Sequence, residues 1–141
     1  PILMIVIGLL FIALSSHKIA TQPTKTAVPS DNKISLSQLN KIVAASDKPV
    51  IIIVSAKWCA ICRELEATTF KDRDLLEKFK QVTVINFDIT DNGQDSSTFL
   101  RQYKLYGPPA IIILDKNKML QTKISGYISA ADLIKRIDMH Y

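Results

Sequence analysis

Five β-branched residues in succession, Val50-Ile51-Ile52-Ile53-Val54, constrain this chain more than any other feature. The run shows no polar alternation and is too short for an ordinary helix. It therefore predicts a central strand buried on both faces, and such a strand needs a covering layer above and below. Two further strand-like runs, Val82–Phe87 and Ala110–Leu114, are each set apart from their neighbours by helix-length segments. Between them Asp72 is placed to cap a short helix carrying Leu75, Leu76 and Phe79, and Ser96–Tyr103 reads as a helix with Phe99, Leu100 and Tyr103 inward. Upstream, Ser35 and Gln38 have the spacing of a capping box, after which Leu36, Leu39, Ile42 and Val43 share one helical face. Downstream, the turn at Asp115–Lys118 leads into Met119–Ile124, a hairpin with the preceding strand. Ser129 then caps a helix from Ala130 to about His140, with Asp132 in its first turn and Leu133, Ile134 and Ile137 along it. Strands alternating with helices, then a hairpin and a helix, amount to an α/β fold with a central mixed β-sheet flanked by helices.

The domain organisation follows from composition. The segment 1–16 carries no charge and is apolar on every side almost throughout, which a helix covering a small soluble domain would not be. It is expected to be a transmembrane segment, the end of a longer helix, since spanning a bilayer takes roughly 20 such residues. Residues 17–33, with two prolines and several Ser and Thr, read as a linker. Residues 34–141 are then one folded domain. The net charge of +5 comes from scattered lysines with no interleaved aromatics, which argues against nucleic-acid binding.

The chain has two cysteines, Cys59 and Cys62, directly after the first strand and at the start of a helix-forming stretch. As a staple the pair closes almost no loop, so its structural value is small. Zinc would need two more ligands, and the two histidines, His17 and His140, lie far apart without partner spacing. Redox chemistry fits best. A helix N-terminus stabilises a thiolate at Cys59, and Cys62 lies one turn on, within reach of a mixed disulfide formed there. Cys59 is thus expected to attack and Cys62 to resolve, with Trp58 adjacent. The intervening Ala60-Ile61 supplies no cation, although Lys57 and Arg63 flank the motif, and this favours a reductant over a strong oxidant. Pro109, between a glycine-containing loop and a buried strand, is read as a cis-proline that leaves the preceding residue free to pair with an extended peptide.

Lys48-Pro49-Val50, the strand, the run Ala56-Lys57-Trp58-Cys59-Ala60-Ile61-Cys62-Arg63-Glu64-Leu65-Glu66, Thr69-Phe70, Gly107-Pro108-Pro109-Ala110 and Gly126-Tyr127 together resemble the C-terminal, thioredoxin-like domain of the DsbD family of thiol:disulfide interchange proteins. The resemblance runs from about Ile34 to Ile137. It implies a thioredoxin-like fold on the periplasmic side of a bacterial inner membrane, a membrane-embedded electron donor domain and a periplasmic acceptor domain as partners, and a redox-active disulfide with no further cofactor and no metal. By resemblance Cys59 is the nucleophile, Cys62 its partner and Pro109 the cis-proline, with Trp58, Pro108 and Pro109 against the substrate. Two positions depart from the pattern. The buried acid that many such domains carry six residues before the first cysteine is here Ile53, which leaves Glu66 either to assist proton transfer alone or to be an ordinary surface glutamate. The residue before the cis-proline is Pro108, which has no N–H to offer a substrate, only a carbonyl. Two other readings stay open: a self-standing, singly anchored thioredoxin-like enzyme serving cytochrome c maturation or envelope disulfide reduction, and a non-enzymatic module with inert cysteines.

Overall fold

The apolar run becomes strand β1, Val50–Ser55, buried along its whole length in a four-stranded sheet. The structure, a computed structural model, describes residues 33–140. Its elements are α1 (Leu36–Ala45), β1, α2 (Ala60–Ala67), a 3-10 turn at Thr69–Lys71, α3 (Arg73–Phe79), β2 (Thr83–Asp88), α4 (Gln94–Tyr103), β3 (Ala110–Leu114), β4 (Leu120–Ser125) and α5 (Ala130–Asp138). The sheet order is β2-β1-β3-β4, with β1 parallel to β2 and antiparallel to β3, and β3 antiparallel to β4. This is the mixed sheet of a thioredoxin-like fold. The expected segment 1–16 and nearly all of the linker lie outside the described residues. Among the described residues no helix is long and apolar enough to cross a membrane.

Successive residues of β1 point to opposite faces, so each face has its own core. Val50, Ile52 and Val54 pack with Leu39 of α1, Phe87 of β2 and Phe99 of α4, and the Phe99 ring lies tilted between Phe87 at 4.6 Å and Tyr103 at 4.7 Å. Burial pushes the Tyr103 hydroxyl above its ordinary pKa. Ile51 and Ile53 pack on the other face with Leu65 of α2, Leu75 and Phe79 of α3, and Leu133 and Ile137 of α5. Each such aliphatic side chain removed from water stabilises the fold by about 1.5–3 kcal/mol.

The capping box is formed: Ser35 Oγ accepts the Gln38 N–H at 3.2 Å and Gln38 Oε1 accepts the Ser35 N–H at 2.8 Å. Asp72 and Ser129 cap α3 and α5 as expected. Several boundaries differ, among them the end of β1, which takes in Ser55. Helix α4 starts at Gln94 rather than Ser96, because the Asp91 carboxylate takes the Gly93 N–H at 3.3 Å and the Ser96 hydroxyl at 3.2 Å and turns the chain into the helix early. Strand β2 runs Thr83–Asp88 rather than Val82–Phe87, its first amide taken by the Pro49 carbonyl at 2.8 Å. Strand β4 begins at Leu120 rather than Met119, since Met119 N–H closes the turn on Asp115 Oδ1 at 2.9 Å. Helix α5 ends at Asp138, two residues before His140.

Register decides where the loops go. Ser55 pairs with Asp88 and Val54 with Ala110, so the carboxyl ends of β1 and β2 and the amino end of β3 share one end of the sheet. The loops 56–59, 89–93 and 107–109 converge there, at the edge where α/β folds place their chemistry.

Candidate active site

The loop leaving β1 closes when the Cys59 N–H donates to the Ala56 carbonyl at 3.0 Å. Cys59 is then the N-cap of α2: its backbone is extended and its Sγ accepts the Cys62 N–H at 3.1 Å. Sulfur thus occupies the place where helices usually carry a Ser or Asp oxygen, facing free amides and the positive end of the helix dipole. Cys59 and Cys62 are joined as a disulfide with Cα atoms 5.3 Å apart. Exposure hardly separates the two, at 6% and 3%. Position does: reduction would leave Cys59 with the donor that stabilises a thiolate, and Cys62 inside the first helical turn.

Trp58, just before the pair, and Ile61, between its two cysteines, stand exposed at 53% and 44%. Trp58 Nε1 donates to the Thr90 carbonyl at 3.0 Å, and the Lys57 N–H donates to Thr90 Oγ1 at 2.9 Å. Of the flanking cations, Arg63 is committed to a backbone group, its guanidinium donating to the Lys57 carbonyl at 2.9 Å.

Below the disulfide lies a small, mostly apolar pocket lined by Cys62, Glu66, Ile53, Leu65, Asn86 and Pro109. Glu66 sits one turn beyond Cys62 on α2, exposed at its outer side and sharing this pocket with the inner cysteine. Ile53 is buried at 6% and leaves the floor without a carboxylate. The polar groups there are neutral: Ser55 Oγ donates to Asn86 Oδ1 at 2.8 Å. The Pro108–Pro109 bond is cis. The Pro109 carbonyl accepts the Gly126 N–H at 3.0 Å, which ties this loop to the end of β4. Cys59, Cys62, Glu66 and Pro109 are therefore brought together, Pro108 borders them, and Trp58 lies on the side toward β2.

One feature escapes the sequence reading. Thr90, which holds the Lys57-Trp58 segment and is itself held by Asp88 at the end of β2, lies more than thirty positions away. The Asp91-Asn92-Gly93 turn beside them is legible in the sequence, but nothing local marks Thr90. Next to it, the Asp91 carboxyl is held below its ordinary pKa, chiefly by the hydrogen bond from Lys33 and then by the Gly93 N–H. Among the described residues no group of three or more His, Cys, Asp or Glu is arranged to hold a metal ion.

The family model for thioredoxin-like domains matches residues 36–140. Thiol:disulfide interchange protein DsbD of Campylobacter jejuni is 30% identical over 115 residues, which cover 82% of this chain and 20% of that protein. The chain thus spans about a fifth of the length of the curated relatives it matches. Among solved structures, the oxidised C-terminal domain of Neisseria meningitidis DsbD superposes with a TM-score of 0.68 at 21% identity, covering 77% of this chain and 98% of that one. Spinach chloroplast thioredoxin f superposes with a TM-score of 0.60 at 23% identity, over 77% of this chain and 91% of that one.

Proposed function

The chain belongs to the family of thioredoxin-like domains, and from that premise we propose that it is a protein-disulfide reductase that relays electron pairs through Cys59 and Cys62. The observation that carries the reading is a sulfur at the N-cap of α2 with a second sulfur bonded to it from the first helical turn. In the reduced state the Cys59 thiolate attacks a disulfide of the partner protein, forming a mixed disulfide and expelling one partner thiolate. Cys62, as thiolate, then attacks Cys59 Sγ; the intramolecular disulfide reforms and the second partner thiolate leaves. Two electrons pass to the partner, and its two sulfurs take up two protons. The exchange needs no cofactor beyond the disulfide.

Glu66 is assigned to accept the Cys62 proton, on the ground that it is the ionisable group sharing that cysteine's pocket. Trp58 and Ile61 form the apolar rim on which a partner settles, and the Pro108 carbonyl offers one backbone acceptor beside it. The similarity to C. jejuni DsbD supports the wider setting: a segment at 1–16 that anchors the domain to a bacterial inner membrane, a linker at 17–33, a membrane-embedded donor and a periplasmic acceptor.

Insulin reduction with dithiothreitol as electron source tests the chemistry. Wild type should accelerate it, Cys59→Ala should abolish the acceleration, and Cys62→Ser should accumulate a mixed disulfide on Cys59. A potential near that of thioredoxin, about −270 mV, is expected; one near −120 mV would make the domain an oxidant.

A further inference from the structure

Thr90 is tied to the redox loop by two of its groups, the hydroxyl and the carbonyl, and is itself held by Asp88 at the end of β2. Its N–H donates to Asp88 Oδ1 at 2.7 Å, and its hydroxyl donates to the same carboxylate oxygen. That donation fixes the hydroxyl rotor, so the oxygen's lone pairs are left for the Lys57 N–H at 2.9 Å. Its carbonyl takes the Trp58 indole N–H at 3.0 Å. The segment Lys57-Trp58 is otherwise held by little: both residues are exposed, so burial does not fix them. Its remaining tie outside the backbone turn is the Arg63 guanidinium on the Lys57 carbonyl. Cys59 follows directly, and the direction of its Cα–Cβ bond is set by where this segment lies.

We infer that Thr90 is a positioning residue of the reaction: through its hydroxyl and carbonyl it holds Lys57-Trp58 against the loop after β2, and so sets the pose of Cys59 for attack and of the Trp58 ring for docking. This rests on the reading of the domain as a disulfide reductase. Attack on a disulfide is sensitive to direction, and displacing a reacting atom by about 1 Å costs up to roughly 100-fold in rate. Thr90 is half-buried and outside the core clusters, so an isosteric exchange at this position leaves the packing in place.

The test compares Thr90→Val, which keeps shape and removes the hydroxyl, with Thr90→Ser, which restores it. Trp58 is the one tryptophan of the chain and follows the residue that the hydroxyl holds, so its fluorescence anisotropy reads the mobility of the pinned segment. Expected for T90V are a kcat/KM for insulin reduction lower by about 10-fold and a lower Trp58 anisotropy, with unchanged far-UV circular dichroism; T90S should return to within about 2-fold of wild type. Equal rates and equal anisotropy in T90V and wild type overturn the inference. So does a T90S variant as impaired as T90V, because the shared hydroxyl would then be irrelevant. If T90V does not fold, Asp88→Asn, which weakens the hold on the hydroxyl, should shift both readouts in the same direction, and no shift again overturns it. A wild-type domain that reduces no disulfide sinks the functional reading instead, while the anisotropy comparison still decides whether the Thr90 hydroxyl steadies the Lys57-Trp58 segment.

Discussion

Reducing the Cys59–Cys62 bond should lower the thermal midpoint of the domain by about 4 °C at neutral pH. The disulfide closes a loop of four residues counting both cysteines, and the chain-entropy model assigns such a loop about 1.9 kcal/mol at 25 °C. Reduction gives something back. The Cys59 thiolate would keep the Cys62 N–H now 3.1 Å from its sulfur and would face the positive end of α2, an interaction of about 1 kcal/mol. Cys62, buried at 3%, gains no comparable partner as a thiol. The balance leaves the oxidised form ahead by about 1 kcal/mol; with an unfolding entropy of roughly 0.23 kcal/mol/K for about 110 residues, that is the 4 °C shift. Acidifying until the thiolate is protonated removes the offset, so the gap should widen toward the full loop value at low pH. Circular dichroism melts with and without excess dithiothreitol measure it. A reduced domain that melts above the oxidised one refutes the reasoning, because preferential stabilisation of the dithiol is what makes a strong oxidant of this chemistry.

Ile52, fully buried and paired on both sides within the sheet, should cost about 3–4 kcal/mol when replaced by Ala, read from urea unfolding at constant m; a loss under about 1 kcal/mol would mean the core collapses onto the gap. The Asp91 carboxyl is held below its ordinary value of 3.8 by Lys33 and the Gly93 N–H. A depressed folded pKa contributes stability that is present above that ordinary value and lost as pH falls through the folded one, so Asp91→Asn should flatten the acid side of the stability curve, and an NMR titration placing Asp91 at or above 3.8 contradicts this. Glu66→Gln should slow insulin reduction by about tenfold, at or below the low end for proton transfer catalysis because the group is exposed; an unchanged rate and pH profile would return Glu66 to the ordinary surface.

How far the sequence reaches is clearest at β1. Val50–Val54 carries its own answer, since a run without alternation can be buried on both faces and little else. Ser55 extends that strand because its carbonyl accepts the Ile89 N–H at 2.9 Å, and its hydroxyl finds Asn86 on the neighbouring strand, a partner that neither residue announces alone. The same division holds at the site. Cys59 at a strand-to-helix junction is legible because capping is local: the amide it accepts lies three residues on. Asp72, Ser35 and Ser129 are legible for the same reason. Helix α4 is misplaced by two residues because its N-cap, Gly93, has no side chain to declare it and the turn is made by Asp91 instead.

Thr90 marks the limit of local reading. Its partners Lys57 and Trp58 are 33 and 32 residues away, and only the parallel register of β1 with β2 brings their loops together. That register is itself a consequence of the apolar runs, which must be paired side by side to satisfy their backbone groups once buried. The nucleophile's pose is therefore specified twice: once by the helix that Cys59 caps, and once by a hydroxyl on the next strand's exit loop. The first constraint orients the sulfur's acceptor side, and the second fixes the backbone from which it projects. With Ile53 in the strand instead of an acid, no buried carboxylate among the described residues is available to steer the inner cysteine's proton. Geometry at the outer one then carries a larger share of the rate than charge does, so exchanges at Thr90 should cost this domain more in attack than exchanges at Lys57, whose contribution to the pin is a backbone amide that every side chain but proline leaves in place.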